Sequence, residues 1–215
     1  MHLGPARATC PDVGSRIQRD LITKAAELSP ELASTIERQG PIRLRRHLDG
    51  TPLVDVLCRA VAGQQLSVTA ARSIWGRVIE DVGARPLEAH LAEAPRERLR
   101  ECGLSGAKVK AMCAIAEASR SGALCADTLR GLDRDARTET LTSIWGVGPW
   151  TADMMNIFYF GDRDVWPDGD VTARKTLARL TSRRRRTVLT AERFSPYRSY
   201  LALHMWRAAN ANPNP

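Results

Sequence analysis

Two closely spaced carboxylates, Asp168 and Asp170, follow a Trp-Pro turn and precede a helical pattern over residues 171–177. Aspartate is favoured at the N-cap of a helix, and acids stabilise the first helical turn, so the pattern predicts a structural cap. A capping carboxylate is also held rigidly, and the helix N-terminus favours its ionised form. Such a group can stabilise an oxocarbenium-like sugar while a glycosidic bond is cleaved. The pattern alone favours the cap, and the two roles do not exclude each other.

A glycine hairpin, Gly146-Val147-Gly148, separates two helical segments upstream of these acids. Both glycines permit backbone conformations closed to other residues, and they leave no side chain over the turn. Pro149 stands in the first turn of the next helix, which suits its fixed φ and missing N–H. The free N–H groups of that helix N-terminus can bind an anion such as phosphate. A tight helical corner without a ligand explains the glycines equally well.

Three aromatic residues near these segments could contact a ligand. Trp150 follows the hairpin, while Tyr200 and Trp206 stand nearly two helical turns apart in a later segment. An indole ring attracts a cationic group by roughly 0.5–2 kcal/mol. Core packing is the ordinary role of large aromatic side chains, and the residues alone favour it.

The composition indicates an intracellular protein with a polyanionic partner. The chain has 215 residues, a formal charge of +8 and a pI of about 9.8, which favours nucleic acid over a membrane surface. Its five cysteines are dispersed, which argues against a disulfide framework. No apolar run could span a bilayer and no secretory signal opens the chain, so we expect a cytoplasmic, nucleoid-associated location.

Helix caps recur every ten to fifteen residues, and no convincing alternating strand is present. The predicted fold class is therefore all-α, a bundle of short helices. Ser29 and Ser67 are two of the predicted N-caps. We expect residues 1–13 to form a loose leader and residues 211–215 a tail, with disorder beginning near Asn210. Arg43, Arg45, Arg46 and His47 form a basic patch that is expected to be a solvated face. A run of four arginines spans Arg183 to Arg186, and the sequence leaves open whether it contacts DNA.

Four motifs in this order resemble the helix-hairpin-helix (HhH-GPD) DNA glycosylase superfamily, and most closely 3-methyladenine DNA glycosylase II. They are GQQLSV at 63–68, LTSIWGVGPWTAD at 141–153, PDGD at 167–170 and YRSYLALHMW at 197–206. The resemblance covers roughly residues 20–208. It implies two lobes, residues 48–162 and residues 14–47 with 163–210, within one glycosylase domain spanning 14–210. The four-cysteine cluster of iron–sulfur members is missing.

The resemblance implies that the hairpin holds DNA. The backbone amides of Gly146, Gly148 and Trp150 would bind a DNA phosphate. The carbonyls of Thr142, Ile144 and Val147 would bind a structural cation, either Na⁺, K⁺ or Mg²⁺. The sequence departs from the family pattern at Trp145, where proline is usual, and at Pro149, which removes one amide.

The remaining family positions imply the chemistry. Asp170 aligns with the catalytic acid, whereas Asp168 is the alternate candidate. Trp150 stands where strand-cutting members have a Schiff-base lysine, so the resemblance implies a monofunctional enzyme. The implied base pocket comprises Trp150, Met154, Tyr200 and Trp206. The implied DNA wedge is Gln65, flanked by Gln64 and Leu66, although a polar interhelical turn would explain the same residues.

The expected activity is hydrolysis of the N-glycosidic bond of alkylated purines, of the 3-methyladenine and 7-methylguanine type, in double-stranded DNA. No cofactor is expected for catalysis, and the family default is a monomer. The alternatives are a glycosylase for deaminated bases, hypoxanthine or uracil, and a non-catalytic DNA-binding module. Met154 stands where some members have an aromatic pocket residue, which leaves the base preference open. Lys108, in a further matching segment, is expected to be structural or phosphate-facing.

Overall fold

The computed structural model describes residues 13–44 and 50–211, and in these two stretches every regular element is helical. This confirms the predicted all-α fold class. None of the described helices is long and apolar enough to cross a membrane. The leader up to residue 12, the basic residues Arg45, Arg46 and His47, and the tail from residue 212 lie outside the described stretches. Val13 begins the first helix and Asn210 lies within the last one, so the predicted leader and tail were each drawn too long.

Thirteen α-helices occupy the described stretches. They are α1 (Val13–Ala26), α2 (Pro30–Gln39), α3 (Leu53–Gly63), α4 (Val68–Val82), α5 (Leu87–Glu93), α6 (Arg96–Glu101), α7 (Gly106–Arg120), α8 (Ala126–Gly131), α9 (Arg134–Thr142), α10 (Pro149–Met155), α11 (Val171–Leu180), α12 (Thr187–Glu192) and α13 (Arg198–Ala211). The chain divides into two compact units. Among the described residues, unit 1 comprises 13–44 and 163–211, and unit 2 comprises 50–162.

Local side-chain caps define many helix starts. The hydroxyl of Ser29 accepts the Leu32 N–H at the start of α2, and that of Ser67 accepts the Ala70 N–H at the start of α4. The predicted caps at both serines are therefore confirmed. Each such bond satisfies a donor that the helix itself leaves unpaired and stabilises it by about 1 kcal/mol.

Unit 2 is built around α3, α5 and α7. Its core includes the fully buried side chains of Leu57, Leu99, Met112 and Ile115. Each fully buried aliphatic side chain contributes about 1.5–3 kcal/mol relative to exposure. Helix α7 packs against both α3 and α5. Its residues also contact the turn after α3 through Lys108 and the turn before α10 through Ala111.

Unit 1 pairs α1 with α2 and α11 with α13. Its core includes Leu21, Ile36, Leu177 and Phe194, all with less than 2 % of the side chain exposed. The packing of α11 against α13 brings the start of α11 close to the side chains of α13. That juxtaposition joins two of the motifs singled out in the sequence.

Helix α10 does not stop at Met155 but continues as a π-helix over Asn156–Phe160, which the sequence did not predict. Asn156 is fully buried, and its Nδ2 donates to Thr138 Oγ1 at 2.9 Å. Its carbonyl accepts the Asp162 N–H at 2.9 Å, and Gly161 ends the element with φ +77°. The π-helix therefore connects the end of α10 to α9 through the bond from Asn156 to Thr138.

Candidate functional site

Asp170 is the N-cap of α11, as the local sequence predicts. Its Oδ1 accepts the Ala173 N–H at 2.7 Å and the indole Nε1–H of Trp206 at 3.0 Å. Its own N–H donates to the Pro167 carbonyl at 2.8 Å, which closes a β-turn over residues 167–170. A carboxylate held by a helix N-terminus, an indole and a turn has one fixed orientation. The cap and a role in chemistry are thus compatible in this geometry.

A second set of contacts ties the preceding loop to α13. Asp164 accepts from the Arg198 guanidinium through both oxygens, at 2.7 and 3.0 Å, and from the Ser195 hydroxyl at 2.9 Å. Burial by itself raises the pKa of Asp164, but the hydrogen bonds from Arg198 and Ser195 outweigh burial and hold it below the usual value. Ser199 Oγ accepts the Val165 N–H at 3.0 Å. These bonds fix the loop on the helix that carries Trp206.

Asp168, the alternate catalytic candidate, lies at the exposed apex of the same turn. Its N–H donates to the Trp166 carbonyl at 2.9 Å, and its Oδ1 accepts a long 3.4 Å bond from Thr187 Oγ1. It makes no contact like the Ala173 and Trp206 bonds of Asp170 among those seen in residues 13–44 and 50–211. Asp168 is therefore held less firmly than Asp170.

Trp206 and Tyr200 lie on α13 in different environments. Trp206 is half-buried, whereas Tyr200 has only 7 % of its surface exposed. The Tyr200 ring packs edge-to-face on Tyr197, with 6.1 Å between ring centroids, within the core of unit 1. Burial raises the pKa of Tyr200. Core packing, which the sequence left open for both residues, is thus the environment of Tyr200.

The glycine hairpin belongs to unit 2. Gly146 has φ +88°, and a Cβ added there would lie 2.3 Å from the Ala111 Cβ on α7, so the expected conformational need for glycine is confirmed. Gly148 has φ −90° and ψ 174°, which is ordinary extended backbone, and a Cβ there would meet nothing within 4 Å. Gly148 therefore does not use the conformational freedom that glycine permits. Its backbone forms the N-cap of α10 with no side-chain hydrogen bond over it.

The carbonyls that the resemblance assigns to a cation belong to the end of α9 and to the turn that follows it. Thr142 ends α9, and the Ile144 carbonyl accepts the Val147 N–H at 3.0 Å in the turn that follows. A carbonyl oxygen has two lone pairs, so the turn bond leaves Ile144 able to ligate. Three neutral oxygens without a carboxylate fit Na⁺ or K⁺ better than a divalent ion. In the part of the chain that is described, no cluster of His, Cys, Asp and Glu could bind a metal.

Trp150 and Met154 follow the hairpin on α10. They are four residues apart, so they share one face of the helix. Trp150 is 37 % exposed, and Met154 is half-buried against the core of unit 2. This face of α10 therefore presents an accessible indole beside a flexible thioether side chain.

The predicted wedge residues differ in where their side chains point. Gln65 and Leu66 are exposed. Gln64 instead donates from Nε2 to Thr151 Oγ1 at 3.2 Å, with a longer 3.4 Å contact to the Gly146 carbonyl. The structure thus brings the wedge segment and the hairpin together through Gln64.

The structure also reveals a partner of this turn that the sequence did not identify. The Nζ of Lys108, on α7, donates to the carbonyls of Ala62 at 2.8 Å and Gln64 at 2.9 Å. Burial lowers the pKa of Lys108. From the sequence, Lys108 was expected only to be structural or phosphate-facing. No local pattern links it to a turn that lies more than forty residues earlier in the chain.

The chain is similar in sequence and in fold to known proteins. Residues 58–195 match the family model described as HhH-GPD superfamily base excision DNA repair protein. A DNA-3-methyladenine glycosylase 1 of Schizosaccharomyces pombe is 31% identical over 178 residues, covering 79% of this chain and 78% of that protein. A solved S. pombe 3-methyladenine DNA glycosylase in complex with abasic DNA superposes with a TM-score of 0.80 at 27% identity, covering 93% and 99% of the two chains. A solved DNA-3-methyladenine glycosidase from Bacillus halodurans gives 0.75 at 30% identity, covering 88% of each.

Proposed function

The chain belongs to the HhH-GPD superfamily of base excision DNA repair proteins, and we propose that within it the protein is a monofunctional DNA glycosylase for alkylated purines. Relatives and solved structures of similar length carry the name 3-methyladenine glycosylase. The observation that carries the proposal is the fixed carboxylate of Asp170, whose Oδ1 accepts from both Ala173 and Trp206. A carboxylate in one defined orientation is what hydrolysis of a glycosidic bond requires.

In this mechanism Asp170 stabilises the positive charge that develops on the deoxyribose and orients the attacking water. The bond from the sugar C1′ to the base nitrogen breaks, and its electron pair leaves with the base. The oxygen of a water molecule then bonds to C1′ and releases a proton to the solvent. A purine methylated at N3 or N7 already carries a positive charge, so it departs as a neutral molecule without a strong general acid. The acid–base demand on the protein is correspondingly small.

The base would be held by aromatic side chains. The exposed face of Trp150 suits a cationic purine, because an electron-rich indole attracts positive charge. Trp150 cannot form a Schiff base, so no strand cleavage is expected. Met154, one turn further on, would shape the pocket. Within unit 1, the N–H of Trp206 would hold Asp170, and the buried Tyr200 would support the same helix.

The hairpin would hold the DNA backbone. The amides of Gly146, Gly148 and Trp150 would bind a phosphate at the start of α10, where the helix dipole favours negative charge. A Na⁺ or K⁺ ion held by the carbonyls of Thr142, Ile144 and Val147 would add positive charge beside that phosphate. Gln65 and Leu66 would enter the duplex where the base is extruded. The protein would act on double-stranded DNA as a monomer.

Base release from methylated duplex DNA, followed by chromatography, tests this function. We expect 3-methyladenine and 7-methylguanine to be released and the DNA strand to stay intact. Release of hypoxanthine or uracil alone, from matched duplexes, would instead assign the protein to deaminated bases. Binding to abasic DNA without release of any base would identify a non-catalytic DNA-binding module.

A further inference from the structure

The backbone of the turn after α3 has an unusual conformation at Gln65. With φ +57°, Gln65 is the one non-glycine residue with positive φ in residues 13–44 and 50–211. The left-handed conformation costs a side-chain-bearing residue roughly 1–2 kcal/mol, so the surrounding structure must impose it. The Gln65 side chain is exposed. A residue with an exposed side chain and a strained backbone is a candidate for a preorganised functional group.

Lys108 supplies one part of that constraint. Its ammonium bridges the carbonyls of Ala62 and Gln64, which lie on either side of Gly63 just before Gln65. The positive charge also complements the C-terminal end of the α3 dipole. Because Lys108 lies in the first turn of α7, where the hydroxyl of Ser105 caps its N–H, the ammonium is anchored to a rigid element. The turn also has local backbone bonds, from the Gln64 N–H to the Val61 carbonyl at 3.2 Å and from the Leu66 N–H to the Gly63 carbonyl at 3.3 Å, and Lys108 adds a constraint from another helix.

Gln64 supplies the other part. Its side chain reaches Thr151, which is 2 % exposed on α10, and approaches the Gly146 carbonyl. Gly146 in turn packs directly on Ala111 of α7, three residues after Lys108. The turn that bears Gln65 and the glycine hairpin are therefore joined twice, through Gln64 directly and through α7.

We propose that Lys108 is a positioning residue for DNA engagement: it holds the Gln64–Gln65 turn so that Gln65 is already shaped to enter the duplex, in fixed register with the hairpin. This inference rests on the proposed function, because it deepens the role of the wedge. Preorganisation matters because any ordering needed on binding subtracts from affinity for the extruded state. Lysine suits the task, since its three N–H donors can serve two carbonyls at once.

The test compares Lys108→Met with Lys110→Met in the full-length protein. Both changes remove one positive charge from α7, but Lys110 is exposed with its Nζ 4.3 Å from the Trp145 ring centroid. The readout is the ratio of affinities for an abasic-site duplex and an intact duplex of the same sequence. We expect Lys108→Met to lower this preference roughly tenfold, the effect of losing one or two hydrogen bonds to a charged group. Lys110→Met should weaken both duplexes alike and leave the ratio unchanged.

A double-mutant cycle with Gln65→Ala separates positioning from general stabilisation. If Lys108 acts through Gln65, Lys108→Met should change the ratio little once Gln65 is already alanine. An equal loss in both backgrounds, or an unchanged ratio in Lys108→Met, would overturn the proposal. If Lys108→Met does not fold, Lys108→Gln replaces it, because its shorter neutral side chain cannot bridge both carbonyls. Lys108→Arg, which keeps charge and donors, should recover most of the preference.

This readout remains valid if the proposed chemistry is wrong. Affinity for abasic DNA requires no base release. The double-mutant cycle can therefore test the positioning role of Lys108 even in a protein that excises no base. Conversely, wild-type base release with an unaltered ratio in Lys108→Met would leave the glycosylase function standing and reject the positioning role alone.

Discussion

The indole Nε1–H of Trp206 donates to Oδ1 of Asp170 at 3.0 Å, and the same oxygen accepts the Ala173 N–H at 2.7 Å. One carboxylate oxygen is thereby held by two donors from α11 and α13, the helices that pack together in unit 1. Hydrogen bonds to an ionised acceptor are stronger than those between neutral groups, so the pair fixes the carboxylate firmly. The arrangement makes one residue a helix cap and a candidate catalytic group together.

The first prediction concerns the charge of Asp170. Asp170→Asn keeps a good N-cap, since asparagine caps as well as aspartate, but removes the negative charge. We expect base release to fall by at least about 100-fold, the scale of losing one preorganised electrostatic group. Binding of abasic DNA should persist. Single-turnover release of methylpurines measures the rate, and Asp168→Asn is the matched control. Comparable rates for wild type and Asp170→Asn would move the chemistry to another residue.

The second prediction concerns the Trp206 donor. Trp206→Phe keeps an aromatic ring and removes the N–H that contacts Asp170. Because a hydrogen bond to a charged group is worth about 1.5–3 kcal/mol, we expect release to slow roughly 10- to 100-fold. The loss should appear in the single-turnover rate more than in DNA affinity. In an Asp170→Asn background, Trp206→Phe should lower the release rate little further. A full additional loss there would show that Trp206 acts independently of Asp170.

A third prediction separates the two hairpin glycines. Gly146→Ala must place a Cβ against Ala111 in a backbone conformation with positive φ, so we expect a loss of about 2–5 kcal/mol in the free energy of unfolding. Gly148→Ala meets no neighbour and should cost less than about 1 kcal/mol. Its Cβ stands beside the amides proposed to bind phosphate, so DNA affinity should still fall. Urea titrations measure the stability of both variants, and binding isotherms measure the DNA affinity of Gly148→Ala. Equal stability of the two variants would contradict the predicted difference.

The fourth prediction is a pH dependence that arises at His204. The ring is 1 % exposed, its Nδ1 lies 2.7 Å from Gln39 Oε1, and burial, with a smaller effect of Arg207, lowers its pKa to about 4. Between pH 6.5 and about 4 the unfolded chain binds a proton that the folded protein does not. The free energy of unfolding should therefore fall as the pH is lowered through this window, by at most about 3 kcal/mol.

Urea titrations from pH 7 to pH 4 measure this dependence, and His204→Gln is the comparison, because glutamine does not titrate. The difference in slope between the two proteins isolates His204 from carboxylates that titrate in the same range. The ring signals of His204 should also stay those of the neutral form down to about pH 5. Full titration of His204 near pH 6.5 in the folded protein would refute the assignment.

Several features could be predicted because they depend on neighbours in the chain. The caps at Ser29, Ser67 and Asp170 bond to an N–H three residues later, so their residue types alone indicate them. The all-α class follows from the recurrence of such caps and the lack of alternating patterns. The need for glycine at Gly146 was likewise visible in the hairpin motif.

Other features could not be read from the sequence, for two physical reasons. A glycine signals conformational freedom but not whether the fold uses it, and Gly148 turned out to be extended. The aromatic residues by themselves favour core packing, but the sequence does not show which of them are buried, and helix packing places Tyr200 in the core. The π-turn after Met155 is set by buried contacts of Asn156 rather than by any local preference.

By itself, the sequence determined the fold class, the family motifs and the residues that cap and turn the chain, because these depend on interactions over three or four residues. Tertiary structure decided which distant groups meet. The bond from Trp206 to Asp170 spans 36 residues, and that from Lys108 to Gln64 spans 44. Such pairs exist only once apolar burial has packed α11 on α13 and α7 on α3, since no local energy term links their members.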